Sequence, residues 1–299
     1  LDREPEVAVS LLADLLPHVH DSATPNHSPE WRSWRIEPPD PPVGWGETIE
    51  HITRRLIERT ASSPETWLHL IGGLGSLPRQ LQDEVLSALM KTDPDTMTDE
   101  CRATVAEAVR AEAAKHRRFA DARWAMPLEQ VERLERAYEV LAPDDVVATS
   151  LWLFGHHPDL PEQTDRDWDK YRRTLAELRR NAILKVLEAG GVEAVSELAA
   201  RVDVPFEVGT ALGQSALEGT QEDTVYGWLN PGVDALRLVA RGYIFARFAS
   251  EGWAWADDTL QQRAESWPPA QRAEFMFGLP MSGETWDRAE RLGDETVAA

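Results

Sequence analysis

Helix punctuation recurs along this chain at short intervals, and that constrains its fold more than any other feature. Pro5 opens a run in which Val9, Leu12 and Leu16 follow three and four apart before Pro17 stops it. The same pattern returns at Ser63-Pro64-Glu65, at Pro78 ahead of Leu81, Val85 and Leu89, and at Thr98-Asp99-Glu100 ahead of Val105 and Val109. It returns again at Pro127 ahead of Val131, Leu134 and Tyr138. Each case joins an N-terminal proline, cap or early acid to an amphipathic stripe. No set of period-two stretches rich in Val, Ile and Thr is bounded by hairpin turns. The class expected is all-α.

The pattern predicts helices over 5–16, 47–60, 64–73, 78–91, 99–117, 127–141, 144–154, 167–189, 192–202, 205–218, 222–229, 232–250, 255–265, 268–278 and 283–292. So many short helices with short connections cannot share one bundle core. An α-α superhelix, an irregular solenoid-like array of stacked hairpins, solves that geometry. Glu65-Thr66-Trp67 recurs as Glu284-Thr285-Trp286, but no fixed repeat signature emerges. Trp67, Trp152, Trp168, Trp253 and Trp286 fall on stripes or helix starts and are expected in the core. The loop from His156 to Arg166 suggests a division into 1–160 and 161–299, within an architecture that also fits one continuous solenoid. The segment 17–46 holds seven prolines (17, 25, 29, 38, 39, 41 and 42) and is expected as an ordered loop packed on the first helices.

Charge and composition exclude several functions. The 299 residues carry 31 Lys+Arg against 52 Asp+Glu, a net charge of −21, so a nucleic-acid backbone or an anionic membrane is repelled. No apolar stretch approaches the roughly 20 residues of a membrane span. A single cysteine, Cys101, rules out an internal disulfide and fits a reducing cytoplasm. The chain starts at Leu1, and we expect it to be a piece of a longer protein.

His18, His20, Asp21 and His27 supply three imidazoles and a carboxylate, the donor set of a zinc site with an open position. The His20-Asp21 doublet is similar to that of metal-dependent HD-type phosphohydrolases, yet it sits among loop residues rather than on helices. His20 and Asp21 are expected to pin the loop by hydrogen bonds. Asp257-Asp258 lacks the further acid of the Asp-rich motif of class I terpene synthases, and Asp144-Asp145 follows Pro143, where acids suit a helix start. Cys101 lies in a first helical turn, where the dipole lowers a thiol pKa unless burial opposes it. Lys115-His116-Arg117-Arg118 with Arg123-Trp124 joins cations to an aromatic ring, as in single-strand binders, but cations also suit a helix C-terminus. No nucleophile elbow, phosphate loop or dinucleotide fingerprint is present. Twelve tryptophans remain. Trp31, Arg32, Trp34 and Arg35 pair the residue types that dominate interface hot spots, and they are the expected partner-binding set.

The loop Leu16-Pro17, His20-Asp21-Ser22, Thr24-Pro25, His27 and Trp31-Arg32 carries a resemblance that continues through His116-Arg117-Arg118-Phe119, Leu151-Trp152-Leu153-Phe154 and Gly242-Tyr243, and on to Gly252-Trp253-Ala254-Trp255. It resembles a helical-repeat region of large, mostly uncharacterised bacterial multidomain proteins of defence or signalling type. The resemblance implies an enzymatic domain elsewhere in the parent and a sensing or inhibitory role for this arm, by analogy of fold alone. The expected function is therefore a non-catalytic protein-interaction or sensor scaffold of a cytoplasmic bacterial protein. No cofactor is expected, and the expected partner is a protein or another domain of the same parent. The alternative is a metal-dependent hydrolase using His18, His20, Asp21 and His27. Far-UV circular dichroism should give a strongly helical spectrum; strand content near the globular average of about 20–25% would overturn the class.

Overall fold

The computed structural model describes residues 45–61, 63–122, 124–156, 158–160, 168–215, 217, 219–230 and 232–298. Thirteen α-helices and no β-strand occur among them. The chain is all-α. The expected helix 5–16 and nearly all of the loop 17–46 lie outside the described residues. Trp45 and Gly46, placed in that loop by sequence, instead open the first helix.

Two compact units form, each with its own core. The first contains α1 (Trp45–Arg59), α2 (Thr66–Gly73), α3 (Arg79–Leu89), α4 (Asp99–Arg118) and α5 (Leu128–Leu141). Leu56, Trp67, Leu70, Leu74, Val85, Leu86, Val109 and Leu134 are fully buried at its centre. Capping explains where its helices start: the Thr98 side chain accepts the Cys101 N–H at 3.2 Å. Polar ties fix the packing. Arg102 donates to the Leu141 and Ala142 carbonyls at 2.9 and 2.7 Å, satisfying the end of α5. Asp83 accepts from Gln130 and Arg133 at 2.7 and 2.6 Å, tying α3 to α5.

The second unit begins at Asp144, so 144–160 belongs with it rather than closing the first subdomain as the sequence suggested. Phe154 and Leu160 are part of its core. Its helices are α6 (Val146–Ser150), α7 (Trp168–Arg201), α8 (Pro205–Gly213), α9 (Thr220–Gly227), α10 (Asp234–Arg263), α11 (Pro269–Phe277), α12 (Gly283–Arg291) and α13 (Asp294–Ala298). The expected helix 144–154 is a short α6 followed by a 3-10 turn over Leu151–Phe154. Helix α10 is broken at Gly252 (φ 69, ψ −157), a backbone conformation open only to glycine. The break falls between the two helices predicted over 232–250 and 255–265.

The crossing of α8 and α10 organises this unit. A Cβ on Gly209 would stand 1.9 Å from the Val239 carbonyl oxygen, and one on Gly242 would stand 2.1 Å from that of Phe206. A Cβ on Gly213 would be 2.7 Å from the Ala246 Cβ. The two backbones touch directly, which only absent side chains permit. Val208, Leu212, Val239 and Tyr243 close around the contact, all fully buried. Gly209→Ala and Gly242→Ala should each cost on the order of 3 kcal/mol or more, because backbone must move to admit the methyl. Gly227→Ala, at an exposed helical site with nothing within 4 Å, should leave melting unchanged or raise it slightly. Thermal melts of the three variants check this.

Candidate interaction surface

Most of the sequence candidates among the described residues are structural. His116 is fully buried, with its Nε2 2.8 Å from a Glu112 Oε1 and its Nδ1 accepting the Met126 N–H at 3.0 Å. With Nδ1 accepting, Nε2 is the ring nitrogen that donates to the carboxylate. It pins the turn before α5 onto α4. The rest of the basic run is also engaged: Arg117 grips Glu135 with two bonds of 2.6 Å, and Lys115 reaches Glu112 at 3.4 Å and lies over the Trp124 ring. Asp145 caps α6 by accepting the Val147 N–H at 2.9 Å. Asp257 binds Arg288, and Asp258 accepts from Gln262 at 2.8 Å. Burial, reinforced by the Glu65 carboxylate, pushes the Cys101 thiol up, against the lowering a first-turn position suggests. Among the described residues no three His, Cys, Asp or Glu side chains gather as a metal site requires. His18, His20, Asp21, His27, Trp31, Arg32, Trp34 and Arg35 lie outside the described residues.

A polar network lies where α9, α10 and α11 meet. The Tyr226 and Tyr243 hydroxyls both donate to Glu222 Oε1, at 3.2 and 2.9 Å, and Arg247 donates to the Tyr243 hydroxyl at 3.0 Å. The Arg263 guanidinium lies 4.7 Å above the Tyr226 ring and 3.7 Å from the Glu222 carboxylate. Burial, with the Glu222 charge behind it, pushes both tyrosine hydroxyls well above the ordinary range. Around them Tyr226, Trp267, Phe275 and Trp255 form a ring cluster with centroids 5.4–6.3 Å apart. Each polar group named in the network has a partner, which makes it rigid.

An apolar cleft is built by the last three helices. Ala273, Met276 and Phe277 of α11, Thr285, Trp286 and Ala289 of α12, and Thr296 and Val297 of α13 line it with Leu279 and Met281; it encloses about 80 Å³. Its walls are held from below. Arg241 of α10 binds Glu274 of α11 at 2.6 Å and stacks 5.0 Å from the Phe277 ring. Arg288 of α12 clasps Asp257 of α10 at 2.6 and 2.8 Å while lying 3.8 Å over the Trp253 ring. Ser282 caps α12 by accepting the Thr285 N–H at 3.3 Å.

Four large apolar side chains of this cleft face solvent: Met281 is 87% exposed, Phe277 60%, Trp286 52% and Val297 45%. Single exposed apolar residues are ordinary; here four converge on one cleft. Trp286 was expected in the core and is not; it lines the cleft and stays half exposed there. Trp168 likewise departs from expectation, at 67% exposed, because it is the first residue of α7 and precedes the part of the stripe that packs. Trp67 is buried, and Trp152 and Trp253 pack on the second core half-buried, as expected. The cleft itself was missed by sequence reasoning. Its trace is Phe277, Met281 and Trp286, apolar residues either side of the α11–α12 turn.

The tyrosine network sets a pH dependence. A hydroxyl whose pKa is higher folded than unfolded stabilises the fold fully below about pH 10. That contribution is lost as the pH rises towards the folded value. Stability should therefore fall above about pH 10 by roughly 1.4 kcal/mol per pH unit for each tyrosine. Denaturant melts of Tyr226→Phe and Tyr243→Phe between pH 8 and 11.5 should show a shallower alkaline fall than the parent. Comparison of the chain with protein-family models, curated proteins and solved structures gave no match.

Proposed function

We propose that this chain is a non-catalytic α-helical interaction module, a scaffold or sensor arm of a larger cytoplasmic bacterial protein. In this reading its second unit holds a protein partner at the cleft of α11, α12 and α13. The observation that carries the reading is the convergence of Phe277, Met281, Trp286 and Val297 on one cleft, each largely exposed. A cleft of about 80 Å³ suits one aliphatic side chain, well below the roughly 150 Å³ that houses benzene. A partner anchoring one such side chain beside Trp286 and Phe277 has the form of an interface hot spot with an aromatic rim. The Arg241–Glu274 and Arg288–Asp257 pairs hold its walls in place, so little ordering cost falls on binding. No described helix is long and apolar enough to cross a membrane. Trp31, Arg32, Trp34 and Arg35 remain a proposed second contact.

A photo-crosslinking residue placed at position 286 in the native host tests this against one at Trp168, which is exposed but outside the cleft. Position 286 should yield a discrete crosslinked protein that excess purified chain competes away, and position 168 should not. Equal labelling at both positions, or none at 286, would overturn the reading. Turnover of phosphoester or peptide substrates that chelation abolishes would replace it with the hydrolase of His18, His20, Asp21 and His27.

A further inference from the structure

We infer that the occupant of the cleft is a basic amphipathic helix of another protein; this rests on the cleft being a protein-binding surface. The lining is apolar, and acids outnumber bases on the two helices that frame it: Glu284, Asp287, Glu290, Asp294 and Glu295 against Arg288 and Arg291. Glu290 lies one helical turn from Trp286 on α12, and Asp294 three residues from Val297 on α13, each on the face of its neighbour. Glu284, Asp287 and Glu295 are exposed as well. The bases nearby are already committed, Arg288 to Asp257 and Arg241 to Glu274. Arg291 alone among the bases of 283–298 is exposed. An acidic rim around an apolar floor complements a helix with apolar residues at i, i+3 and i+4 and Lys or Arg beside them. A second copy of this chain is disfavoured as occupant, because its own cleft carries the same acidic rim and the chain bears a net charge of −21. Anionic lipid headgroups meet the same repulsion. The walls span α12, nine residues or about 13 Å, which matches two to three turns of a bound helix.

Three labelled 18-residue peptides serve as probes in fluorescence anisotropy: an amphipathic Leu/Lys helix, the same pattern in Leu/Glu, and a scrambled Leu/Lys sequence without a moment. The amphipathic Leu/Lys peptide should bind, and Trp286→Ala, with its circular dichroism unchanged, should weaken it about 30-fold. The pair Glu290→Gln and Asp294→Asn should weaken it about fivefold. Glu132→Gln with Glu139→Gln, exposed acids of the first unit, should leave it unchanged. Equal binding of the Leu/Glu or scrambled peptide would overturn the basic-helix assignment, as would Leu/Lys binding indifferent to Trp286→Ala. No peptide binding alongside persistent crosslinking at position 286 would overturn this inference and leave the interaction module standing. Loss of both would remove the module too. Self-association in sedimentation that Trp286→Ala abolishes would make a second copy the occupant and overturn the assignment.

Discussion

The second unit depends on one contact, the backbone-to-backbone crossing of α8 and α10 through Gly209, Gly213 and Gly242. With no Cβ at the contact, the helices approach closely enough for carbonyls to sit where side chains would be. Close approach brings Val208, Leu212, Val239, Tyr243 and Ile244 into one dry layer, all fully buried. It also fixes the rotation of α10 about its own axis. That rotation aims Tyr243 and Arg247 at Glu222, and Arg241 at Glu274. A methyl group at either of the closest glycines would push the helices apart and misdirect every one of these pairs.

From that crossing outward, the cleft is assembled by ion pairs that do two jobs. Arg241 and Arg288 each hold a carboxylate on a neighbouring helix element and stack on an aromatic ring. Such pairs near a surface contribute little stability by themselves. Their effect here is positional: Arg241 sets the Phe277 ring and Arg288 sets the face that α12 presents. Neutralising these arginines in the fold leaves the acids of α12 and α13 as the dominant charge at the cleft rim.

Much of the helical grammar was legible in the sequence because it is local. Pro127 at a helix start, Thr98 capping the Cys101 N–H, and Gly252 interrupting a stripe act over four residues or fewer. Local rules also warned that the acids of Asp144-Asp145 and the cations after Lys115 would serve helix ends. The glycine crossing left a signal that went unread, small residues four apart at Gly209 and Gly213 and again at Gly242 and Ala246. That spacing marks one face of a helix as bare, but it does not name the helix that will lie against it.

The triplet Glu-Thr-Trp shows where local information stops. It occurs at 65–67 and at 284–286, at the start of a helix both times. Trp67 is 1% exposed, enclosed by the helices of its unit, whereas Trp286 is 52% exposed in the cleft. The sequence alone determined that both tryptophans would ride on helices, since capping and periodicity are properties of neighbouring residues. Only the tertiary structure decided which ring is core and which is surface. Burial is a property of what lies opposite, and no short stretch of chain encodes its own neighbour.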